Sequence, residues 1–364
     1  MKHKILIHAP NLSTPGGKQT YFTSLLDHFQ SDIEFFFYGA QGKKESKLKV
    51  ISRLFSDYWK FYRLLKKNDF SLVHLNPSMN MKSFFRDSIF AAICSITGTK
   101  MTIFWHGWQW AFEKKTVQKI LFWFKMTYGK ADSMIILAKE FSDQLKKYGY
   151  KKPIHQVTTV ADPIFFELET KFENPSIENP VNEDLVLLFL SRIERVKGIY
   201  EALESFEILK EEYPSLKLKV AGTGGELDAA RAYIEQKGLQ GVELLGWITG
   251  EGKAKAFAES DIYLLPSYHG EGLPCSILEA MATGLPVIST DVGGIKDFFE
   301  DGTMGYLVKM KNPSEISEKL RLLINNPEQI EVMGRYNIEY ARNRFTPKKV
   351  GSELERIYDE TVKN

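Results

Sequence analysis

Glu271 and Glu279 stand eight positions apart in Tyr268–Val287, YHGEGLPCSILEAMATGLPV, the stretch where residue type and spacing speak most directly of chemistry. It follows an apolar strand-like run, and Pro274 suits the first position of a helix that runs to about Thr283 and stops at Gly284. The first-turn amides, those of Leu273, Cys275 and Ser276, then point into the loop beside the positive end of the helix dipole. They make a place for phosphate oxygens or sugar hydroxyls. Glu271 lies just before this helix and Glu279 about a turn and a half into it. Two carboxylates so placed accept hydrogen bonds from hydroxyls at two places on one ligand, which suits a polyol rather than a metal. The plainer alternative is an ordinary strand-loop-helix with Glu279 on a solvated face.

Arg192 and Lys197 form a second set, five positions apart in SRIERVKG, between an apolar strand and a helix. Gly198 helps close the turn, so both heads can converge in front of the sheet. An arginine fork with a compact ammonium suits a diphosphate and can neutralise charge developing on a leaving phosphate. The alternative is two solvated surface charges. Gly16 and Gly17, in Thr14-Pro15-Gly16-Gly17-Lys18, allow a backbone to approach a ligand and supply amide donors, although Pro-Gly-Gly is also a common turn. His106, in Trp105-His106-Gly107-Trp108, again follows a strand. It can hydrogen-bond a sugar hydroxyl or phosphate, or sit packed among the aromatic rings.

The elements that must hold these residues read as two α/β halves. Strand candidates Lys4–His8, Ile33–Tyr38, Leu72–Asn76, Met101–Trp105 and Ser133–Leu137 alternate with helical stretches, which argues for a parallel, doubly wound sheet. The second half repeats the pattern with Leu185–Ser191, Lys217–Gly222, Val242–Ile248, Asp261–Ser267 and Pro286–Thr290, and Ser314–Lys363 is mostly helical with a break near Thr346–Pro347. The expected domains are residues 1–166, a linker at 167–184 (acidic, aperiodic, with two Asn-Pro pairs), and residues 185–345. A last helix, 346–364, is expected to pack back toward the first domain. A chain of 364 residues exceeds what a single core holds, in keeping with two domains.

Charge is unevenly laid along the chain. Residues 1–165 carry 25 Lys and Arg against 12 Asp and Glu, or +13, and the remainder is −11, so the net +2 hides a basic half and an acidic half. The basic half suggests an anionic partner: lipid headgroups, nucleic acid or a phosphorylated acceptor. The two cysteines, Cys94 and Cys275, make neither a disulfide framework nor a zinc site, so a reducing compartment is the simpler reading. The N-terminal apolar run is too short for a secretory leader, and the longest nearly uncharged apolar stretch, Ser88–Gly98, is short of the ~20 residues a spanning helix needs. Any membrane contact is therefore expected to be peripheral.

In order along the chain, the Gly-Gly loop, the His after a central strand, Arg-x4-Lys-Gly, and Glu-x7-Glu with Gly-Leu-Pro-x-Ser-x-Leu-Glu-Ala-Met-Ala resemble the family-4 retaining glycosyltransferases of GT-B architecture. The resemblance is strongest over Leu185–Val308. It implies two Rossmann-like domains facing each other across a cleft, with Arg192 and Lys197 holding a donor diphosphate. It also implies that backbone around Gly272, Leu273, Pro274 and Cys275, with Gly16 and Gly17, closes on phosphate and sugar. Glu271 would bind the donor sugar's C3 and C4 hydroxyls, Glu279 the nucleotide ribose, and His106 the sugar's C6 side. The base would lie near Gly222, Gly224, Trp247 and Ile248. The family's chemistry implies no metal or other cofactor, retention of anomeric configuration, and a nucleotide-sugar donor, UDP-linked by family preference.

For the acceptor side, Lys43–Lys67 interleaves nine Lys and Arg with apolar and aromatic residues including Leu48, Ile51, Phe55, Trp59 and Tyr62. A basic helix with an aromatic stripe suits an anionic membrane surface, each cation worth about 1 kcal/mol near it; the alternative is a domain helix with its aromatics in the core. Trp108–Lys130, with Trp110, Phe112, Phe122, Trp123 and Phe124, can complete the same surface. No recognised nucleic-acid motif accompanies the charge. The expectation is a cytoplasmic enzyme, peripheral at the inner face of the membrane, extending a polysaccharide, lipopolysaccharide or lipid-linked glycan. A GT-B nucleotide-sugar epimerase and an inactive scaffold subunit are the alternatives. An NAD oxidoreductase is disfavoured because no strand leads into G-x-G-x-x-G.

Overall fold

The computed structural model describes residues 2–11, 17–39, 46–168, 170–173, 184–268 and 272–364. The first half runs β1 (Lys4–Pro10), α1 (Gly17–Leu25), β2 (Asp32–Tyr38), α2 (Lys47–Lys67), β3 (Leu72–Leu75), α3 (Met81–Thr97), β4 (Met101–Trp105), α4 (Trp110–Lys115), α5 (Leu121–Met126), β5 (Ser133–Ile136), α6 (Lys139–Lys147) and β6 (Ile154–Gln156). The second runs α7 (Ile164–Glu167), β7 (Val186–Leu190), α8 (Ile199–Lys210), β8 (Lys217–Ala221), α9 (Leu227–Lys237), β9 (Val242–Gly246), α10 (Gly250–Ala258) and β10 (Ile262–Leu265). It continues with α11 (Cys275–Ala282), β11 (Val287–Thr290), β12 (Gly305–Val308), α12 (Pro313–Ile324), α13 (Pro327–Arg344) and α14 (Pro347–Lys363).

Each half builds one six-stranded parallel sheet, ordered β2-β1-β3-β4-β5-β6 and β12-β11-β10-β7-β8-β9. Strands β3, β4, β5, β10 and β11 are buried at every position, as a parallel sheet covered by helices on both faces requires. The order of winding reverses between β1 and β3 in one sheet and between β7 and β10 in the other. In open α/β sheets, the crevice beyond the strands' carboxyl ends at such a reversal is where ligands bind. Arg192 and Lys197 follow β7 and the described residues 272–279 follow β10, so both stretches lie at the reversal of the second sheet.

Contacts divide the chain into one unit of Met1–Val160, Gly270–Leu273 and Pro347–Asn364, and another of Ala161–His269 and Pro274–Thr346. The first unit's contacts thus end six residues before position 166, because Phe165 packs its ring on Phe257 of the second unit, centroids 5.2 Å apart. The front of the expected linker is also anchored there: Lys171 pairs with Asp261, and Phe172 is buried against Gly284 and Gly334. Residues 174–183 lie outside the described set.

In the first unit α2, α3 and the α4–α5 segment bury Phe61, Leu65, Phe84, Phe90, Trp108, Phe124 and Tyr128 in one cluster with the sheet. Helices α1 and α14 pack on each other, and α14 packs on β3. The Tyr358 hydroxyl lies 2.5 Å from His74 Nδ1 and Thr361 Oγ1 lies 2.7 Å from Ser133 Oγ, both inside the core. Burial pushes His74 down to about 3, so this imidazole stays neutral and α14 is held without a buried charge.

Helix α2 carries two apolar faces. Phe61 and Leu65 are buried, whereas Leu48, Ile51, Phe55 and Trp59, spaced three, four and four, are 81%, 52%, 71% and 61% exposed. At 100° per residue these four form one stripe, beside a second made of Lys49, Arg53, Lys60, Arg63 and Lys67. The helix thus gives part of its apolar residues to the core, as the domain-helix alternative has it, and leaves Leu48, Ile51, Phe55 and Trp59 on the surface. Lys43 and Lys44 lie outside the described residues. Phe122 and Trp123 of α5 are likewise exposed, while Phe112, Phe124 and Trp108 are buried core.

Candidate active site

At the carboxyl end of the second sheet the loops are interlocked by backbone. The Ile193 amide donates to the Thr223 carbonyl, that of Glu226 to Ile193, that of Gly222 to Gly246, and that of Tyr268 to Val196. Two glycines make this possible. A Cβ on Gly222, whose φ is +136°, would stand 1.9 Å from the Ser191 carbonyl oxygen; one on Gly198, at φ +84°, would stand 2.3 Å from that of Pro266. No side chain fits either approach, and both φ values favour glycine. Gly224 likewise lies against the backbone of Ile193. The four loops after β7, β8, β9 and β10 thus form one rigid rim.

On this rim Lys197 is buried at 7% exposure in a 3₁₀ turn, Arg195–Lys197, that Gly198 caps. Arg192 is half-exposed and paired with Glu194. Beyond β9 the Trp247 side chain is 61% exposed and Ile248 half-buried, so an indole face stands open beside the Gly222–Gly224 turn's own partner, Gly246. An exposed indole is a ready stacking surface for a planar ring.

Helix α11 begins one residue later than the expectation for Pro274 as first helical residue: Pro274 is its cap, in extended conformation, and Cys275 opens the helix. Thr283 closes it and Gly284 takes φ +81°. Glu279 does not face solvent. It is 2% exposed and meets Lys253 of α10, whose Nζ lies 2.6 Å from both carboxylate oxygens. Only Oε1 receives a well-directed hydrogen bond; Oε2 is buried and has no hydrogen-bond partner. Lys253 itself sits over the Phe165 ring, 5.5 Å from its centroid. Burial, the largest influence, pushes the Glu279 carboxyl up, Lys253 pulls it down, and Asp162 pushes it up again.

In the first unit His106 follows β4 and is half-buried, its ring 3.9 Å from that of Phe104. Its Nε2 lies 2.7 Å from Asn76 Oδ1, and Asn76 donates its amide to the His8 carbonyl. Asn76 Oδ1 is therefore the acceptor and His106 Nε2 carries the proton. The two residues stand at the carboxyl ends of β3 and β4, beside the first sheet's reversal. Gly272, grouped with this unit, comes so close to the His106 carbonyl oxygen that a Cβ would stand 2.7 Å from it, and Leu273 is buried. Gly17 begins α1. Gly16 and Glu271 lie outside the described residues.

The structure thus brings Arg192, Lys197, Gly222, Gly224, Trp247, Ile248, Pro274, Cys275 and Glu279 to one end of the second unit, and His106 with Gly272 to the first. Sequence reasoning missed Lys253, Asn76 and Asp162. Asn76 was legible only as a polar residue ending an apolar strand ahead of Pro77. Lys253 gave no signal, since it pairs with a carboxylate 26 positions away.

Residues 170–340 match the family model described as "Glycosyl transferases group 1". An uncharacterized glycosyltransferase of Methanocaldococcus jannaschii is 24% identical over 322 residues, covering 84% of this chain and 79% of that protein. CapM of Staphylococcus aureus, a capsular polysaccharide biosynthesis glycosyltransferase, is 27% identical over 201 residues, or 54% of this chain and 52% of its own length. Apart from the first, the chain spans about half the length of the curated relatives it matches. Among solved structures, HepE of Anabaena in complex with UDP has a TM-score of 0.75 at 15% identity, covering 99% of this chain and 100% of that one. The structural likeness is one of fold, that of GT-B glycosyltransferases, and the sequence likeness to glycosyltransferases is strongest where residues 170–340 match the group 1 model.

Proposed function

We propose that the chain is a retaining, metal-independent glycosyltransferase of family 4 that moves a hexose from a UDP-sugar to a polysaccharide or lipid-linked glycan. The observation that carries this reading is Glu279. A carboxylate buried at the same end of the sheet as the phosphate-suited rim, with no well-directed hydrogen bond at Oε2, is a place for a nucleotide's ribose hydroxyl. The UDP in the HepE complex and the capsular polysaccharide role in CapM's name support the donor and acceptor classes.

In the proposed reaction the bond from the anomeric carbon to the phosphate oxygen breaks as the acceptor oxygen bonds to the same face of the sugar. The acceptor's proton passes to the departing phosphate. Lys197 and Arg192 offset the negative charge that grows on that phosphate, the role a metal would otherwise fill. Glu271 would hold the sugar hydroxyls and His106 would reach the C6 side. Isothermal titration with UDP, GDP and ADP tests the donor: saturable binding of UDP is expected, and binding of none of the three would sink the transferase reading.

The exposed α2 stripe beside its basic stripe supports docking on anionic lipid at the inner face of the membrane. No helix among the described residues is long and apolar enough to cross a membrane. In flotation, phosphatidylglycerol vesicles are expected to carry the protein and pure phosphatidylcholine vesicles to leave it behind. The pair Phe55→Ser and Trp59→Ser should weaken that binding by roughly tenfold or more, as about 1.5–3 kcal/mol is lost with each fully buried side chain. Undiminished flotation would remove α2 from the surface.

A further inference from the structure

Lys253 and Glu279 are 26 positions apart in sequence and touch in the second unit. An ionised carboxylate at 2% exposure is costly unless a charge and donors meet it, and a buried carboxyl left alone takes up a proton instead. Among the described residues the charged groups acting on Glu279 are Lys253 from α10 and Asp162 from the segment ahead of α7, and Asp162 favours the neutral form. Of these, Lys253 is the cation opposing protonation. Its ammonium is fixed from two sides, by the carboxylate and by the Phe165 ring, and its side chain is 20% exposed.

We infer that Lys253 is a positioning residue for nucleotide recognition: by pairing with both carboxylate oxygens it holds Glu279 ionised and in place, so that the remaining acceptor capacity of the carboxylate can meet a ribose hydroxyl. The inference rests on the reading that Glu279 meets the ribose. The chemistry of the two protonation states separates them. A carboxylate accepts at both oxygens, whereas a carboxylic acid offers one O–H donor and loses acceptor capacity, so it cannot satisfy Lys253 and a ribose diol together. Losing one charge-assisted hydrogen bond weakens binding by roughly 10-fold to 100-fold.

The test is UDP affinity by calorimetry between about pH 6 and pH 9, with folding of each variant checked by its thermal transition. Wild type should bind with little change across neutrality. Lys253→Met should bind roughly tenfold or more weakly at neutral pH and regain affinity as pH rises, because burial pushes the Glu279 carboxyl up and the cation that opposes this is gone. Lys253→Arg should restore the flat profile, and Glu279→Gln combined with Lys253→Met should bind weakly with no pH dependence. A Lys253→Met profile that runs flat beside wild type, while Glu279→Gln is weakened, overturns the inference alone. If Glu279→Gln binds UDP as wild type does, the ribose reading falls, and the inference with it.

Discussion

Replacing Lys197 by alanine is expected to slow sugar transfer by roughly 10²–10³-fold, the usual consequence of removing one group aimed at charge that develops in the transition state. The side chain is 7% exposed and its backbone is held by the Glu194 carbonyl on one side and the Gly198 cap on the other, so the ammonium has little freedom to be elsewhere. In the proposed reaction the phosphate gains charge as its bond to the anomeric carbon breaks, so the loss should fall on kcat more than on KM for the donor. Arg192, half-exposed and paired with Glu194, is the looser of the two, and its alanine variant should lose less. Single-turnover rates with UDP-sugar and acceptor measure both. An unchanged rate for Lys197→Ala in a folded protein would remove it from the machinery.

Gly222→Ala should damage fold and site together. The new methyl would stand 1.9 Å from the Ser191 carbonyl oxygen at a φ of +136°, so the β7 or β8 loop has to move. The expected cost is about 3 kcal/mol or more, beyond a single strained φ because a backbone clash is added. Ser191 precedes Arg192, so the displaced loop carries off a residue proposed to meet the donor phosphate, and UDP binding should weaken in whatever fraction still folds. Gly225 provides the control. A Cβ there meets nothing within 4 Å, and Gly225→Ala should alter stability by no more than about 0.5 kcal/mol. Thermal unfolding of the two variants side by side decides it; equal stabilities would mean the rim is not as tightly locked as its contacts indicate.

The strands were largely legible in the sequence because a parallel sheet buried on both faces demands short runs of Val, Ile, Leu and Phe between turn residues. Met101–Trp105 was read to the residue, and most others to within one or two. Two strands left no such mark. β6 is three residues long, half-buried and at a sheet edge, and β12 is also an edge strand, whose three apolar residues after Gly305 make a run too short to stand out from its turn-rich surroundings. The helical C-terminal stretch divides twice, at Asn325–Asn326 as well as before Pro347; the first break is a pair of asparagines, of which Asn326 caps α13. At the site, positions fixed by a strand ending or a helix opening were readable from local pattern. Glu279's environment was not, because it depends on a lysine 26 residues away, and long-range pairing leaves no local periodicity.

The grouping of α14 with the first unit orders events on the ribosome. Residues up to Val160 emerge first, yet Tyr358 and Thr361, which close over His74 and Ser133, appear only after the whole second unit has been translated. At about 5–20 residues per second the wait is roughly 10–40 s. Throughout it, β3 and α1 lack the helix that covers them, while the second unit is already complete in chain. The half of the protein that is synthesised first is therefore the half that finishes folding last, and it is the half that relies on protection from aggregation in the interval.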